Sequence, residues 1–274
     1  MIKLVISDLD GTLIDSTEQL PSEAFELADY LRAKQIMFSL ASGRVYELAQ
    51  PFADALKIQI PFITSNGAAI TWRGNRQVAR YCLPFAPFAQ LIRKCDQMGL
   101  SIYYSFHGYE YIHRRTPFVC SQQEKTARTY SIVPLTDSDL ASAHFEKLSL
   151  MDGDETGIIA EIEQMVKAID YPFTYTRYVN RAIEIVAAGR TKAQGVRDLT
   201  EVLGISMREV LCIGDDANDV EMLTDAGIGV AVSNALPEAK ACADYIALAD
   251  HARGALEAVI RNLESDTLRK EPVR

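Results

Sequence analysis

Residues 3–12 read KLVISDLDGT, from Lys3 to Thr12, and the fold is decided there. Leu4, Val5 and Ile6 form an apolar run too brief for a helix and rich in β-branched side chains, which reads as a fully buried strand. The run leads to Asp8 and Asp10 and then to Gly11, where the backbone is free to turn sharply. Side chains two apart on an extended chain point the same way, so both carboxylates are expected to leave the strand tip together. Like charges held that close are settled by a cation or a proton. Acids at the carboxyl end of a buried strand are where open α/β sheets place their chemistry. The stretch predicts a parallel α/β sheet with metal-assisted phosphoryl chemistry at one strand tip, Asp8 attacking phosphorus.

Outward from this strand the chain alternates. A helix is expected over 21–35, with Ala24, Leu27, Ala28 and Leu31 on one face, then a strand over 36–41 closed by Ser42-Gly43-Arg44. A helix to about 56, a strand over 61–64 and a hairpin of 68–72 with 77–81 follow. Strand, helix, strand, helix, strand is the pattern of a right-handed parallel sheet. It resumes after Thr191 with a helix to about 203, a strand over 210–213, a helix over 220–225 and a strand over 228–232. A helix over 237–242, a strand over 245–248 and a closing helix to about 263 complete it, and the charged residues 264–274 read as a frayed end.

Between these two halves the rhythm differs. Leu83-Pro84-Phe85-Ala86-Pro87 is a breaker cluster. Beyond it a helix to about 98, strands over 101–106 and 110–114, a polar stretch, a strand over 147–151, a helix over 155–169 and strands over 173–178 and 182–186 are expected. The expected organisation is a Rossmann-like parallel-sheet core, residues 1–82 and 189–274, with an α+β domain inserted at 83–188.

With 274 residues, 48% of them hydrophobic, the chain can bury one large core or two modest ones. A formal charge of -9 argues against nucleic acid as a partner. No signal-peptide pattern and no apolar run of bilayer-spanning length is present, so no membrane partner is expected. Five scattered cysteines (Cys82, Cys95, Cys120, Cys212, Cys242) without a C-x-x-C pair read as reduced, mostly packed thiols of a cytoplasmic protein.

The chemistry expected of the acids is specific. Aspartate is already anionic at neutral pH, so Asp8 needs no base to act as a nucleophile, and its acyl phosphate is open to water. Asp10 is the candidate general acid toward the leaving alkoxide and then the general base toward that water. An all-oxygen site facing a phosphate suits Mg²⁺. Asp215 ends a second buried strand and supplies the missing acid, while Asn218 and Asp219 open the following helix. Ser42 and Gly43 offer a hydroxyl and an unhindered N–H to a phosphate oxygen, and Lys192 a point charge. Alone, each of these is an ordinary turn, cap or surface residue; together they converge on one phosphoryl group.

D-L-D-G-T at 8–12, S-G-R at 42–44, Lys192 and G-D-D-A-N-D at 214–219 resemble the four motifs of the haloacid dehalogenase superfamily of phosphatases. The insert between the second and third motifs resembles the large α+β cap of the Cof-type branch, as do S-N-G-A at 65–68, S-N-A at 233–235 and R-G at 253–254. The resemblance implies Mg²⁺ held by Asp8, the backbone carbonyl of Asp10, and Asp215. It also implies phosphate contacts from the backbone of Leu9, Ser42, Gly43, Lys192 and Asn218, with Thr12 and Asp219 in support. The implied substrates are small phosphorylated metabolites: sugar phosphates foremost, then pyridoxal phosphate or flavin mononucleotide. Arg190 competes with Lys192 for the motif lysine, and Asp216 with Asp215 for the metal.

Asp15, Glu18 and Asp216 read as surface charges. His107, His113, His144 and His251 lack metal-ligand spacing and read as turn or surface residues, with the His107-Gly108-Tyr109 turn, Arg114 and Arg115 also weighed as facing the site. Tyr103, Tyr104, Phe106, Tyr109 and Tyr111 read as core of the inserted domain. The expected function is a Mg²⁺-dependent phosphomonoester hydrolase. The alternatives are a phosphosugar mutase of the same fold and a non-catalytic phospholigand-binding protein, which the presence of both Asp8 and Asp10 disfavours.

Overall fold

The computed structural model describes residues 1–126 and 129–268. In chain order the elements begin with β1 (Leu4–Ser7), α1 (Ser22–Ala33), β2 (Met37–Leu40), α2 (Tyr46–Ala55), β3 (Phe62–Thr64), β4 (Ala69–Trp72), β5 (Arg76–Arg80) and β6 (Leu83–Pro84). Next are α3 (Ala89–Gln97), β7 (Ser101–Phe106), β8 (Tyr109–Ile112), α4 (Pro117–Thr126), β9 (Ser131–Ile132), α5 (Asp137–Ser142), β10 (His144–Phe145) and β11 (Lys147–Met151). Then come α6 (Ile159–Lys167), β12 (Phe173–Tyr178), β13 (Ala182–Ala187), α7 (Lys192–Leu203) and β14 (Val210–Gly214). The last are α8 (Val220–Asp225), β15 (Ile228–Ala231), α9 (Pro237–Cys242), β16 (Tyr245–Ile246) and α10 (His251–Leu268).

The chain forms two compact units. One comprises Met1–Arg44, Leu48–Val78 and the chain from Thr191; the other comprises Val45–Glu47 and Ala79–Arg190. In the first, a five-stranded sheet runs β16-β15-β14-β1-β2, parallel throughout. Every residue of β1 and β14 is buried, as their unbroken apolar runs require. Helices α1 and α10 pack on each other, and α8 packs on both α7 and α9, two groups of the kind that cover the faces of a parallel sheet. From β1 the order runs one way to β2 and the other way through β14 to β16. The two directions part between β1 and β14, and such a switch point is where open α/β sheets leave a crevice.

Strand β3 differs from expectation. It meets the parallel sheet through one bridge, Ala41 to Ile63, and otherwise pairs antiparallel with β4 in a separate sheet, β3-β4-β5. With three residues and a sharp turn directly after it, β3 is too short to hold two ladders. Helix α10 runs past the expected end to Leu268, and residues 269–274 of the stretch expected to fray lie outside the described residues.

The second unit is built on a six-stranded sheet, β12-β13-β11-β7-β8-β9, antiparallel except between β8 and β9. Helices α3 and α6 bring Leu91, Ile92, Cys95, Ile159, Ile162 and Val166 onto one core with Ile102, Leu148, Leu150, Ile183 and Ile185 of the sheet. The stretch expected to be merely polar contains α4 and α5. Helix α5 is six residues held by a capping box between Thr136 and Asp139, too short for any periodic signal. Tyr103 and Tyr104 are buried in two different clusters, with Tyr111 packed beside Tyr104. Phe106 and Tyr109, expected in the core, are exposed because they flank the His107-Gly108 turn where the two strands end.

All five cysteines are free, with Cys95 and Cys212 buried and Cys82 exposed. Among the described residues, no helix is long and apolar enough to cross a membrane.

Candidate active site

The tip of β1 is pinned to its neighbour, the Asp8 N–H donating to the Ile213 carbonyl at 2.9 Å. This register delivers Asp8 and, past the end of β14, Asp215 to the same edge of the sheet. Gly11 has φ +79°, and a Cβ on it would lie 2.2 Å from Asp215 Oδ2, so the turn after β1 approaches that carboxylate only with glycine. The next residue, Thr12, is buried and donates from Oγ1 to Asp215 Oδ1 at 2.6 Å.

Asp8, Asp215 and Asp219 each offer an oxygen, and these oxygens lie within 4.8 Å of one another. Lys192, at the start of α7 and 2% exposed, places Nζ 2.8 Å from Asp8 Oδ1 and 2.7 Å from Asp219 Oδ1. The other oxygen of Asp219 accepts from the N–H groups of Asp215 at 3.0 Å and Asp216 at 3.1 Å. Burial raises the Asp8 carboxyl well above its ordinary range, and the charge of Asp219 adds to this while Lys192 opposes it. Asp215 is pushed up to about 6, first by burial, against the hydrogen bond from Thr12. Burial pulls the Lys192 ammonium down, but the Asp219 and Asp8 charges more than reverse it, so its pKa is raised.

Three buried or half-buried carboxylates facing one ammonium leave a surplus of negative charge. An all-oxygen donor set with that surplus fits a hard divalent cation such as Mg²⁺.

Asp10 lies outside the Asp8–Asp215–Asp219 cluster, although its charge still reaches Asp8. Strand β1 ends at Ser7, so the two-residue alternation no longer governs Asp10, whose side chain is 52% exposed. Arg44 grips it at both oxygens, Nε to Oδ2 at 2.8 Å and Nη2 to Oδ1 at 2.5 Å. Glu18 also faces Arg44 at 3.4 Å, which makes it part of this edge rather than a plain surface charge. Leu9 is fully buried and its carbonyl accepts from the N–H groups of Leu13 and Ile14 at 2.9 Å each.

Ser42 follows β2, its N–H donating to the Ile63 carbonyl at 3.0 Å and its Oγ accepting from the Arg44 N–H at 3.1 Å. A Cβ on Gly43 would meet Asn66 Oδ1 at 3.2 Å. Asn218 donates from Nδ2 to Asn66 Oδ1 at 3.1 Å. Arg190 lies over the Tyr81 ring, 3.9 Å from its centroid, while Lys192 stands at the acids, and Asp216 caps the turn at Ala217. Asp15 is occupied by Thr17. Arg114 pairs with Asp96 and Arg115 with Gln123, while His113 accepts from the Leu135 N–H at 2.9 Å.

Arg44 and Asn66 were not singled out from the sequence, although both lie inside quoted motifs. An arginine after a turn and an asparagine before glycine carry no local sign of what they will touch.

A parallel α/β sheet with a lysine-paired acid cluster beside its switch point is a frame on which hydrolytic enzymes are built. The chain belongs to the haloacid dehalogenase-like hydrolases, matching that family over residues 5–259. It is 27% identical over 245 residues, covering 89% of both chains, to the 5-amino-6-(5-phospho-D-ribitylamino)uracil phosphatase of Bacillus subtilis. It is 25% identical over 255 residues, 92% of both chains, to the HMP-PP phosphatase of Escherichia coli. A haloacid dehalogenase-like hydrolase from Bacteroides thetaiotaomicron superposes with a TM-score of 0.81 at 26% identity, over 96% of this chain and 100% of that one. The chain is thus an enzyme of the phosphatase class within this family.

Proposed function

We propose that the chain hydrolyses phosphate monoesters of small metabolites in the cytoplasm, through an aspartyl-phosphate on Asp8. The observation that carries this reading is the buried Asp8 carboxylate, ion-paired to Lys192 and surrounded by more acid than one lysine can balance. A carboxylate oxygen of Asp8 attacks phosphorus and the ester oxygen departs with a proton from Asp10. Water, deprotonated by Asp10, then attacks the acyl phosphate, releases inorganic phosphate and regenerates Asp8. Lys192 keeps Asp8 oriented and offers positive charge to the phosphoryl oxygens, alongside the N–H groups of Leu9, Ser42 and Gly43 and the Asn218 amide. Asp8, Asp215 and the Asp10 carbonyl would hold Mg²⁺, with Asp219 beside them, and the ion when bound offsets the charge of the phosphate dianion. Thr12 fixes Asp215 for that task. Sugar phosphates are the first substrates to try, with pyridoxal phosphate, flavin mononucleotide and the substrates named for the relatives next.

The test is a phosphate-release screen over such a panel with Mg²⁺. Asp8→Asn is expected to abolish release with the thermal midpoint retained, and chelation of divalent ions to silence the wild type. Turnover of a preferred substrate by Asp8→Asn would remove the nucleophile assignment, and a moved rather than released phosphate would mark a mutase.

A further inference from the structure

Three successive residues, Ser65, Asn66 and Gly67, take φ values of +52°, +53° and +86°. The glycine is at ease there and the asparagine tolerates it, but a serine beside them in the left-handed region is uncommon, and such outliers concentrate where function requires them. The turn is also buried, Ser65 at 1% and Asn66 at 3% exposure.

What the turn touches explains where it sits. The Ser65 N–H donates to the Arg44 carbonyl at 2.8 Å and the Asn66 N–H to the Ser42 carbonyl at 3.2 Å, so its backbone brackets the Ser42-Gly43-Arg44 loop. A Cβ on Gly67 would lie 2.0 Å from the Thr191 carbonyl, so the same turn abuts the residue before Lys192. The Asn66 side chain bridges the remaining gap, lying against Gly43 and accepting from Asn218 Nδ2 at 3.1 Å. One side chain thus joins two phosphate-contact candidates that are 175 residues apart in sequence, 218 minus 43.

We infer that Asn66 is a positioning residue for phosphate binding: it fixes the plane and the nitrogen end of the Asn218 amide and seats it against Gly43. This rests on the phosphatase reading given above. An asparagine suits the place because it tolerates a positive φ and its carbonyl oxygen presents an acceptor without adding charge near an anion.

Asn66→Gly removes the side chain while the backbone conformation becomes easier, so it isolates the amide. The expected result is a rise of about ten- to a hundredfold in the inhibition constant of inorganic phosphate and in KM, with an unchanged or higher thermal midpoint. Asn218→Ala is expected to cost as much, and the double variant little more than either, because the two act as one unit. Should Asn66→Gly not fold, Asn66→Ser, too short to reach Asn218, carries the same comparison. Wild-type phosphate inhibition in the folded variant, or additive losses in the double variant, would overturn the inference. Phosphate binding measured by calorimetry separates the two readings: a wild type that binds phosphate but releases none from any ester sinks the hydrolase assignment, while the Asn66 comparison still decides this one.

Discussion

Among the described residues two lysines are buried against carboxylates, and they answer to different charge balances. In the first unit Lys192 lies between Asp8 and Asp219, with Asp215 at hand, three acids to one ammonium. In the second unit Lys147, with a side chain 7% exposed, pairs with Glu184 at 2.9 Å. Ser149 Oγ at 3.1 Å and Tyr178 OH at 3.2 Å donate to the same carboxylate, and the Lys147 N–H donates to Ser105 Oγ at 3.0 Å. The second network pairs one ammonium with one carboxylate and hydrogen-bonds that carboxylate, as a structural pair has to be held in the interior. The first is left with uncompensated charge, which a fold sustains only where something else is to be bound. Surplus charge, rather than burial, separates a site from a strut.

If so, the two lysines should fail differently. Lys192→Met removes the ammonium paired with Asp8 and is expected to lower kcat/KM for the preferred substrate by about 10²- to 10³-fold, the scale for losing one preorganised charge at a phosphoryl site. Steady-state kinetics check it, and a loss below threefold would put Lys192 with the struts. Lys147→Met is expected to leave hydrolysis of p-nitrophenyl phosphate unchanged but to destabilise the fold by about 3 kcal/mol, because Glu184 loses its counter-charge. The double change Lys147→Met with Glu184→Leu is expected to recover most of that loss in urea unfolding. If the single change silences the enzyme at a permissive temperature, the comparison breaks.

The smallest effect concerns pH. Asp215 is raised to about 6 and Asp8 is raised as well, both first by burial, so the metal-free fold keeps protons that the unfolded chain has already released. The contribution of Asp215 is therefore greatest below the ordinary carboxylate value and is lost as pH rises through about 6. A divalent cation needs the ionised form, so Mg²⁺ is expected to raise the thermal midpoint more at pH 7.5 than at pH 5, approaching about 2.7 kcal/mol at a hundred times its Kd. Differential scanning fluorimetry with and without Mg²⁺ decides it, and equal gains at both pH values would deny the acids a metal-binding role.

Much of this was legible in the chain. The apolar runs Leu4-Val5-Ile6 and Val210 to Ile213 announce the two central strands, because a short β-branched run with a polar tip has few other uses. The helix face of α1 follows from spacing alone, and the residue types of the acid cluster stand in plain sight. Each of these is a local property, carried by a few neighbours along the backbone.

Tertiary structure alone decided the rest. It turned Asp10 outward onto Arg44, promoted Asp219 into the acid cluster, separated Lys192 from Arg190, and left Phe106 and Tyr109 exposed at a hairpin end. It also threaded the left-handed Ser65–Gly67 turn between two loops that the sequence leaves unconnected. The physical reason is range. A periodic pattern is written within one helical turn or one strand, whereas the Thr12 to Asp215 hydrogen bond joins residues 203 apart and exists only once the β1–β14 register has closed.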